Sequence, residues 1–510
     1  MLGKCLASML IVFVGLYFAV LLLLCTYGLH RAHLVFLLWR HRGQVQLACQ
    51  LPATPASELP HVTIQLPLYN EATVVTRLLG GVASIVYPRD RLEIQVLDDS
   101  SDETRHIARG AVEELCASGI DAKYLRREDR HGYKAGALDF GLKSARGELV
   151  AIFDADFIPQ SNFLMDVVRH FSDPAVGMVQ TRWGHLNREA GLLTRVQALM
   201  LDGHHLVENQ ARFGAGCFFN FSGTGGVWRR NAIDDAGGWQ HDTLTEDLDL
   251  SYRAQLKGWK FIYRPDVVTP AELPEDMAAL RAQQFRWAKG TVQTARKLLP
   301  GILRSQLSLR QRIEAAFHML PHFAYPLMLL LSVLLLPALI LMPATDLKTM
   351  LVVDLPLCIG ATGSLVTFYA MAERSQGRSA WQAVMTMPSL IALGAGLSPH
   401  LTRAVIEGSR TMAGEFVRTP KRGRDASRYR QATKWPIAEI ALGCLSGASV
   451  IVAIQTNHWF ALPFAGLFMI GYFYVASRLV GEQLLARRES IVPAEGRGMD
   501  VEPSAMARVA

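Results

Sequence analysis

Carboxylates placed just beyond apolar runs are the residues best able to do chemistry in this chain. Asp154 and Asp156 follow the run 149–153 and are separated by one alanine. Two acids at i and i+2 beyond an extended strand reach one cation, and their hard oxygens suit Mg2+ or Mn2+, ions that also hold substrate phosphates. The plainer reading is a turn with capping acids. Asp98 and Asp99 follow the run 92–97; they accept hydrogen bonds from a base or ribose, or cap the helix that Ser100 and Ser101 open. Lys134 lies in the small-residue run 131–138, where glycines allow close backbone approach and the ammonium offers charge to a diphosphate. The spacing is not that of a nucleotide-triphosphate loop, which argues against an ATPase. Glu246 and Asp247 either cap a following helix or supply, in Asp247, a general base for a hydroxyl. Gln283, Arg286 and Trp287 share one helical stretch; Arg286 is suited to a phosphate and Trp287 to stacking, or both anchor a membrane interface.

These residues need elements to bring them together. Between Pro60 and Leu299 short apolar strands alternate with helical stretches, the pattern of a parallel sheet covered on both faces, whose ligands sit at the strands' carboxyl ends. The runs 61–66, 92–97 and 149–153 read as buried strands, and the acidic motifs fall at such ends. Residues 274–299 read as an amphipathic helix on a membrane surface, with Pro274 at its start and acids in its first turn.

Of the 510 residues, 50% are hydrophobic, so membrane spans are expected. Residues 5–29 carry no charge and are long enough to cross a hydrocarbon core of ~30 Å; they read as a retained anchor followed by a basic cytosolic flank. Further spans are expected at 316–342, 355–372, 439–455 and 459–477. The stretch 401–435 holds nine Lys or Arg against three acids and belongs on the cytosolic side, which makes 381–397 an interfacial or re-entrant helix. The division expected is an anchor with its flank over 1–59, a catalytic domain over 60–300, a membrane part over 301–480 and a polar tail over 481–510. The net charge of +7 gathers beside apolar segments, which favours a membrane surface and a diphosphate over nucleic acid. The seven cysteines form no C-x-x-C pair and read as reduced, with neither a disulfide framework nor a zinc site.

In order and together, Asp98-Asp99, Lys134 with its small-residue run, Asp154-x-Asp156, Thr245-Glu246-Asp247 and Gln283-x-x-Arg286-Trp287 resemble family 2 glycosyltransferases of the processive cellulose-synthase type. The stretches 179–183, 221–228, 236–239 and 256–261 look like the cellulose-synthase-like A group, which makes mannan and glucomannan; Phe285 stands where plant members usually carry His. The resemblance implies an α/β, GT-A-like (Rossmann-like) catalytic domain inserted between transmembrane helices. It implies an inverting, processive transfer of a hexose from a nucleotide-diphosphate sugar, UDP-glucose or GDP-mannose, to a growing glycan. Asp98, Asp99, Lys134, Asp154, Asp156 and Arg286 would then bind the donor, Asp154 and Asp156 through the metal. Asp247, with Glu246 beside it, would serve the chemistry. Phe221, Gly223, Thr224, Gln283 and Trp287 would line the acceptor path. Phe416, Thr419 and Lys421 keep the spacing of a cellulose-synthase gating loop, which covers bound donor; the alternative is a basic loop near anionic lipid. Rival readings are a single-addition glycolipid transferase and a non-catalytic transporter or scaffold. A bacterial inner membrane is favoured over a Golgi membrane, and any accessory subunit is left open.

Overall fold

In the computed structural model, residues 2–50, 58–342, 359–414 and 434–491 are described. The three expected strands become β1 (Val62–Leu68), β2 (Leu92–Asp98) and β4 (Leu149–Ile152), parallel and adjacent, with β1 between the other two. Nearly all their residues are buried, as strands covered on both faces must be. β3 (Asp121–Leu125) closes one edge. β5 (Val176–His185), β6 (Gly226–Arg229) and β7 (Lys260–Ala271) complete the order β3-β2-β1-β4-β6-β5-β7. Here the sheet departs from the all-parallel expectation, because β6 runs antiparallel to both neighbours. Gly223 and Gly225, both at positive φ, turn the chain into β6, a bend open to residues without a Cβ.

One face of the sheet carries α2 (Val75–Ala83), α3 (Thr104–Ala117) and α5 (Phe163–Val168), whose Leu78, Val112 and Phe163 join the core over Ile64 and Phe153. The other carries α4 (Tyr133–Ser144), α8 (Arg230–Asp235) and α9 (Glu246–Leu256), packed on Ile152, Trp228 and Tyr263. Between β5 and β6, α6 (Leu192–Gly203) passes through a π-helical turn at His204–Glu208 into α7 (Asn209–Gly214).

Around this domain lie α1 (Leu2–Cys49), α10 (Met277–Arg304), α11 (Leu309–Met319), α12 (Ala324–Leu341), α13 (Ser364–Arg374), α14 (Ala380–Arg410), α15 (Ile437–Gln455) and α16 (Ala461–Ile491). Five stretches are long and apolar enough to cross a membrane: 12–49, 321–341, 380–410, 437–455 and 461–487. The segment expected to span at 355–372 is not among them; residues 355–358 lie outside the described residues, and α13 has only 11 residues. The anchor is longer than expected. α1 continues through its basic flank, where Arg31 pairs with Glu208 of the catalytic domain and His30 with Glu314 of α11 at 3.1 Å.

The segment 381–397 forms part of the 31-residue α14. Its composition would let it cross a membrane, yet both ends are held by the same domain. Arg378 bonds Asp202 at 3.4 Å, Lys289 pairs with Glu407 at 3.3 Å, and Arg296 donates to the Gly408 carbonyl at 3.1 Å. A helix of this length is roughly 46 Å long, and between its ends α14 packs on α12 and α16 as well as on α10. α16 caps α10 from outside: the N–H groups of Met277 and Ala278 donate to the Glu482 carboxylate at 2.7 and 3.0 Å, satisfying two donors that every helix start leaves open. Cys25, Cys49, Cys116, Cys217 and Cys444 are free.

α14 and α16 cross backbone to backbone. A Cβ on Gly471 would stand 2.0 Å from the Ala392 carbonyl oxygen, and one on Gly396 would stand 2.3 Å from that of Gly471. Gly471→Ala is therefore expected to cost about 1–3 kcal/mol by overpacking and to lower the Tm of the detergent-solubilised protein. Gly466→Ala, with nothing within 4 Å, should leave the Tm unchanged or slightly raised.

Candidate active site

The acidic motifs converge at the carboxyl ends of β2 and β4. Asp98 is buried and accepts hydrogen bonds from Ser100 N at 2.9 Å and the Tyr124 hydroxyl at 2.7 Å. Asp99 is gripped by the Arg127 guanidinium, with Nε at 3.0 Å from Oδ1 and Nη2 on Oδ2. Arg127 also donates to the carbonyls of His131 (2.6 Å) and Tyr133 (3.0 Å), holding the turn that leads into α4. In that turn Gly132 and Tyr133 adopt left-handed φ values of 71° and 50°. For tyrosine this conformation is strained, and it occurs one residue before Lys134.

Lys134 does not point at open solvent. Its ammonium donates to Asp154 Oδ1 at 2.5 Å and to the Gly223 carbonyl at 2.9 Å. The residue read as a diphosphate ligand is thus also the counter-ion of an acidic cluster. Asp154 N donates to Thr224 Oγ1 at 2.9 Å, which fixes the turn after β4, and Asp156 is buried beside it. Glu246 and Asp247 open α9, at the end of a helix where backbone N–H groups favour negative charge. Asp247 Oδ1 accepts from Leu248 N at 2.8 Å. Its Oδ2 approaches Gly223 so closely that a Cβ there would lie 3.0 Å away.

Burial dominates the electrostatics. It pushes the Asp247 carboxyl up to about 7, helped by the neighbouring charge of Glu246 and opposed by Lys134. Burial raises Glu246 as well, against the pull of Lys134. For Lys134 burial works downward, but Asp154, Glu246 and Asp247 outweigh it and the ammonium is held above its ordinary range. Burial lowers Arg286, and the charges of Glu246, Asp154, Asp247 and Asp156 oppose that fall. Four carboxylates thus share the fields of two cations, Lys134 and Arg286.

Arg286 comes from α10, as do Gln283 and Trp287. These last two line a cavity of about 790 Å³ with Asp247 and Ser222. The cavity continues past Phe317, Tyr325 and Leu393 to residues 457–460 at the turn between α15 and α16. Two residues expected on the acceptor path lie beneath it. Phe221 is fully buried, its ring 5.8 Å from Trp228 and edge-on to it. Thr224 is also fully buried; besides bonding Asp154 N, its carbonyl accepts from Gln180 Nε2 at 3.1 Å. Both support the site from below because the chain must turn there into β6. Gly223 is buried as well and does not line the cavity; its carbonyl accepts from Lys134 at 2.9 Å, and a Cβ on it would stand 3.0 Å from Asp247 Oδ2. Phe416, Thr419 and Lys421 lie outside the described residues.

Sequence reasoning missed Tyr124 and Arg127, which hold Asp98 and Asp99. Their partners stand 26 and 28 residues away in the chain, and no local pattern marks them. Asn220 and Trp183, also on the cavity wall, sit within or next to the motif stretches 179–183 and 221–228.

A family model described as glycosyltransferase like family 2 matches residues 60–290. Glucomannan 4-beta-mannosyltransferase 1 of Cyamopsis tetragonoloba is 35% identical over 403 residues, covering 75% of this chain and 74% of that protein. This chain belongs to glycosyltransferase family 2, in its cellulose-synthase-like A group. Probable glucomannan 4-beta-mannosyltransferase 7 of Oryza sativa subsp. japonica is 43% identical to this family 2 chain over 251 residues, 48% of this chain and 43% of that protein. The chain spans about half the length of the rice relatives it matches. Mannosyltransferase PcManGT from Pyrobaculum calidifontis, solved in complex with GDP-Man and Mn2+, is 23% identical, with 74% of this chain covered and a TM-score of 0.48. The curated relatives are plant proteins and give the expected bacterial membrane no support.

The raised Asp247 carboxyl has a thermodynamic consequence. Unfolded, it titrates near 4; folded, at about 7. The folded state therefore binds the extra proton between those values, and stability is lost as pH rises through that window. Asp247→Asn removes the titration while keeping the shape. The Tm of the variant relative to the parent is expected to rise between pH 5 and pH 8; a difference independent of pH would contradict the assignment.

Proposed function

We propose that this family 2 chain is an inverting, processive β-glycosyltransferase that moves a hexose from a nucleotide-diphosphate sugar onto the end of a growing polysaccharide at a membrane. The observation that carries this reading is the cavity that begins at Asp247 and Trp287 and runs between α12, α14 and α16 to residues 457–460. A single-addition enzyme needs a place for one acceptor end; a lengthening chain needs a route away from the base, and this cavity is such a route. Mannose on GDP is the first donor to test, since the relatives at 35% and 43% identity are named glucomannan 4-beta-mannosyltransferases. Glucose on UDP is the second.

In this reading Asp247 takes the proton from the acceptor hydroxyl as that oxygen attacks the anomeric carbon. A carboxylate pushed up to about 7 is matched to this task, being ionised near neutral pH yet basic enough to accept a proton. Lys134 and Arg286 face the leaving diphosphate, and Trp287 stacks against the acceptor sugar. Asp98 and Asp99, held rigid by Tyr124 and Arg127, meet the nucleoside. We place α14 with α10 at the membrane surface, because both ends of α14 are bonded to the domain.

The residues fit a divalent ion. Asp154 is 35% exposed with one oxygen on Lys134, Asp156 follows two residues later, and the cluster holds two more carboxylates than cations. Among the described residues no group of three or more His, Cys, Asp or Glu is placed to hold a metal ion by itself, so phosphate oxygens and water would have to complete the coordination. Asp154 and Asp156 would hold Mg2+ or Mn2+, which would supply positive charge to the diphosphate.

Purified protein should release nucleoside diphosphate from one donor in a screen of GDP-mannose and UDP-glucose, and Asp247→Asn should lose at least about 100-fold in turnover with donor affinity retained. The rate of the parent enzyme should fall as pH drops below about 7, because protonation removes the base. A flat profile between pH 5.5 and 8 would exclude Asp247 from that role.

Metal use is read by binding alone. Mn2+ should tighten nucleotide-sugar binding to the parent protein and leave Asp156→Ala unaffected; equal tightening in both would exclude Asp156 as a ligand.

A further inference from the structure

Gln293 lies on α10 beyond Trp287 and is completely buried. Its amide spends both of its ends. Oε1 accepts from Leu244 N at 3.0 Å, while Nε2 donates to the carbonyls of Thr411 at 3.0 Å and Ala413 at 2.7 Å. One N–H partner and two carbonyl partners fix the orientation of the amide, since the reverse placement would set donor against donor and oxygen against oxygen. The side chain thereby joins two segments distant in sequence. One is 242–247, which delivers Glu246 and Asp247 to the site. The other is 411–414, directly after α14.

The two segments also meet each other. Ala413 N donates to the Asp242 carbonyl at 2.7 Å, and a Cβ on Gly414 would lie 3.5 Å from Leu244. Ala413 has φ of 59°, in the left-handed region that alanine avoids. Its N–H is held by Asp242 and its carbonyl by Gln293, so the contact maintains a conformation that alanine would otherwise leave. α10 is fitted between the partners. A Cβ on Gly290 would stand 2.7 Å from Thr245 Cγ2 and 2.9 Å from the Leu244 carbonyl carbon, and a Cβ on Gly408 would stand 2.7 Å from the Lys289 carbonyl oxygen. The hydroxyls of Thr245 and Thr294 meet at 3.0 Å. The acid-bearing start of α9 therefore has little freedom of its own against α10.

We propose that Gln293 is a positioning residue that locks segment 411–414 to segment 242–247, so that displacement of the first is transmitted to Asp247. This rests on the reading of Asp247 as the base. Gln293 touches neither donor nor acceptor; it acts through the backbone of Leu244.

The test uses the full chain in detergent and Gln293→Met, which keeps the bulk and removes all three bonds. Amide hydrogen exchange at Leu244 and at Ala413 is expected to rise in both segments by about tenfold or more. Turnover should fall about tenfold with donor KM nearly unchanged, and the acidic limb of the pH–rate profile should move. Faster exchange in one segment only, or a parental turnover and pH limb, would overturn the proposal and leave Gln293 as packing. Should the variant not fold, the parent protein decides: under rising denaturant the two amides open with one common dependence if the lock exists, and with separate ones if it does not. An active Asp247→Asn enzyme would instead sink the base assignment, and the exchange result would still be read independently.

Discussion

Concentrating four carboxylates where the end of a central strand meets a helix start is costly, and much of the surrounding architecture answers that cost. Asp154, Asp156, Glu246 and Asp247 stand together in a largely buried setting, where like charges repel strongly and water is scarce. Lys134 enters from α4 and Arg286 from α10, so both elements must be placed accurately before the acids are tolerable. α4 is placed by the Arg127 clamp on the turn before it. α10 is placed by Leu244 and Thr245 on one side, α14 on another and Glu482 at its start. In the proposed reading the residual excess of negative charge would receive a divalent ion, while burial first and the charge of Glu246 second make the Asp247 carboxyl basic.

The union between the sheet domain and the flanking helices follows the same logic of buried, mutually satisfied charge. Arg188 donates to Asp202 at 2.6 Å and to Glu373 at 2.5 Å, with both acids buried. Glu314 takes His30 from α1 and stands 3.8 Å from Arg212 of α7. Arg281 of α10 meets Glu439 of α15 at 3.2 Å. Such pairs add little net stability, since desolvation offsets their attraction, but a misplaced partner leaves a bare buried charge and is penalised heavily. They therefore set the registration of the domain against the helices, and with it the line of the cavity below Asp247.

Much of this was legible in the residues. β4 announces itself as an uninterrupted apolar run, and β1 and β2 as runs broken only at alternate positions by Thr63, Gln65, Glu93 and Gln95; the acids fall where a strand must end. The helix read over 274–299 is found over 277–304, its apolar stripe serving the domain and α14. What could not be read has one physical cause, which is partnership between residues far apart in the chain. Antiparallel β6 depends on a glycine turn whose direction no periodicity encodes. Arg127 looks like one of many basic loop residues until Asp99 is folded against it. Phe221 and Thr224 sit in a motif-like stretch yet lie under the site, because burial at a tight turn and exposure at a binding wall demand similar small and aromatic residues.

The cap that Glu482 places on α10 ties the beginning of one helix to a carboxylate 205 residues later in the chain. At a synthesis rate of roughly 5–20 residues per second, α10 waits about 10–40 seconds for that carboxylate. During the interval α10 lacks the carboxylate that Met277 N and Ala278 N use in the finished fold. The start of α10 therefore reaches its finished form only after α16 has been made and seated, so the order of biogenesis itself delays completion of this junction until α16 is in place.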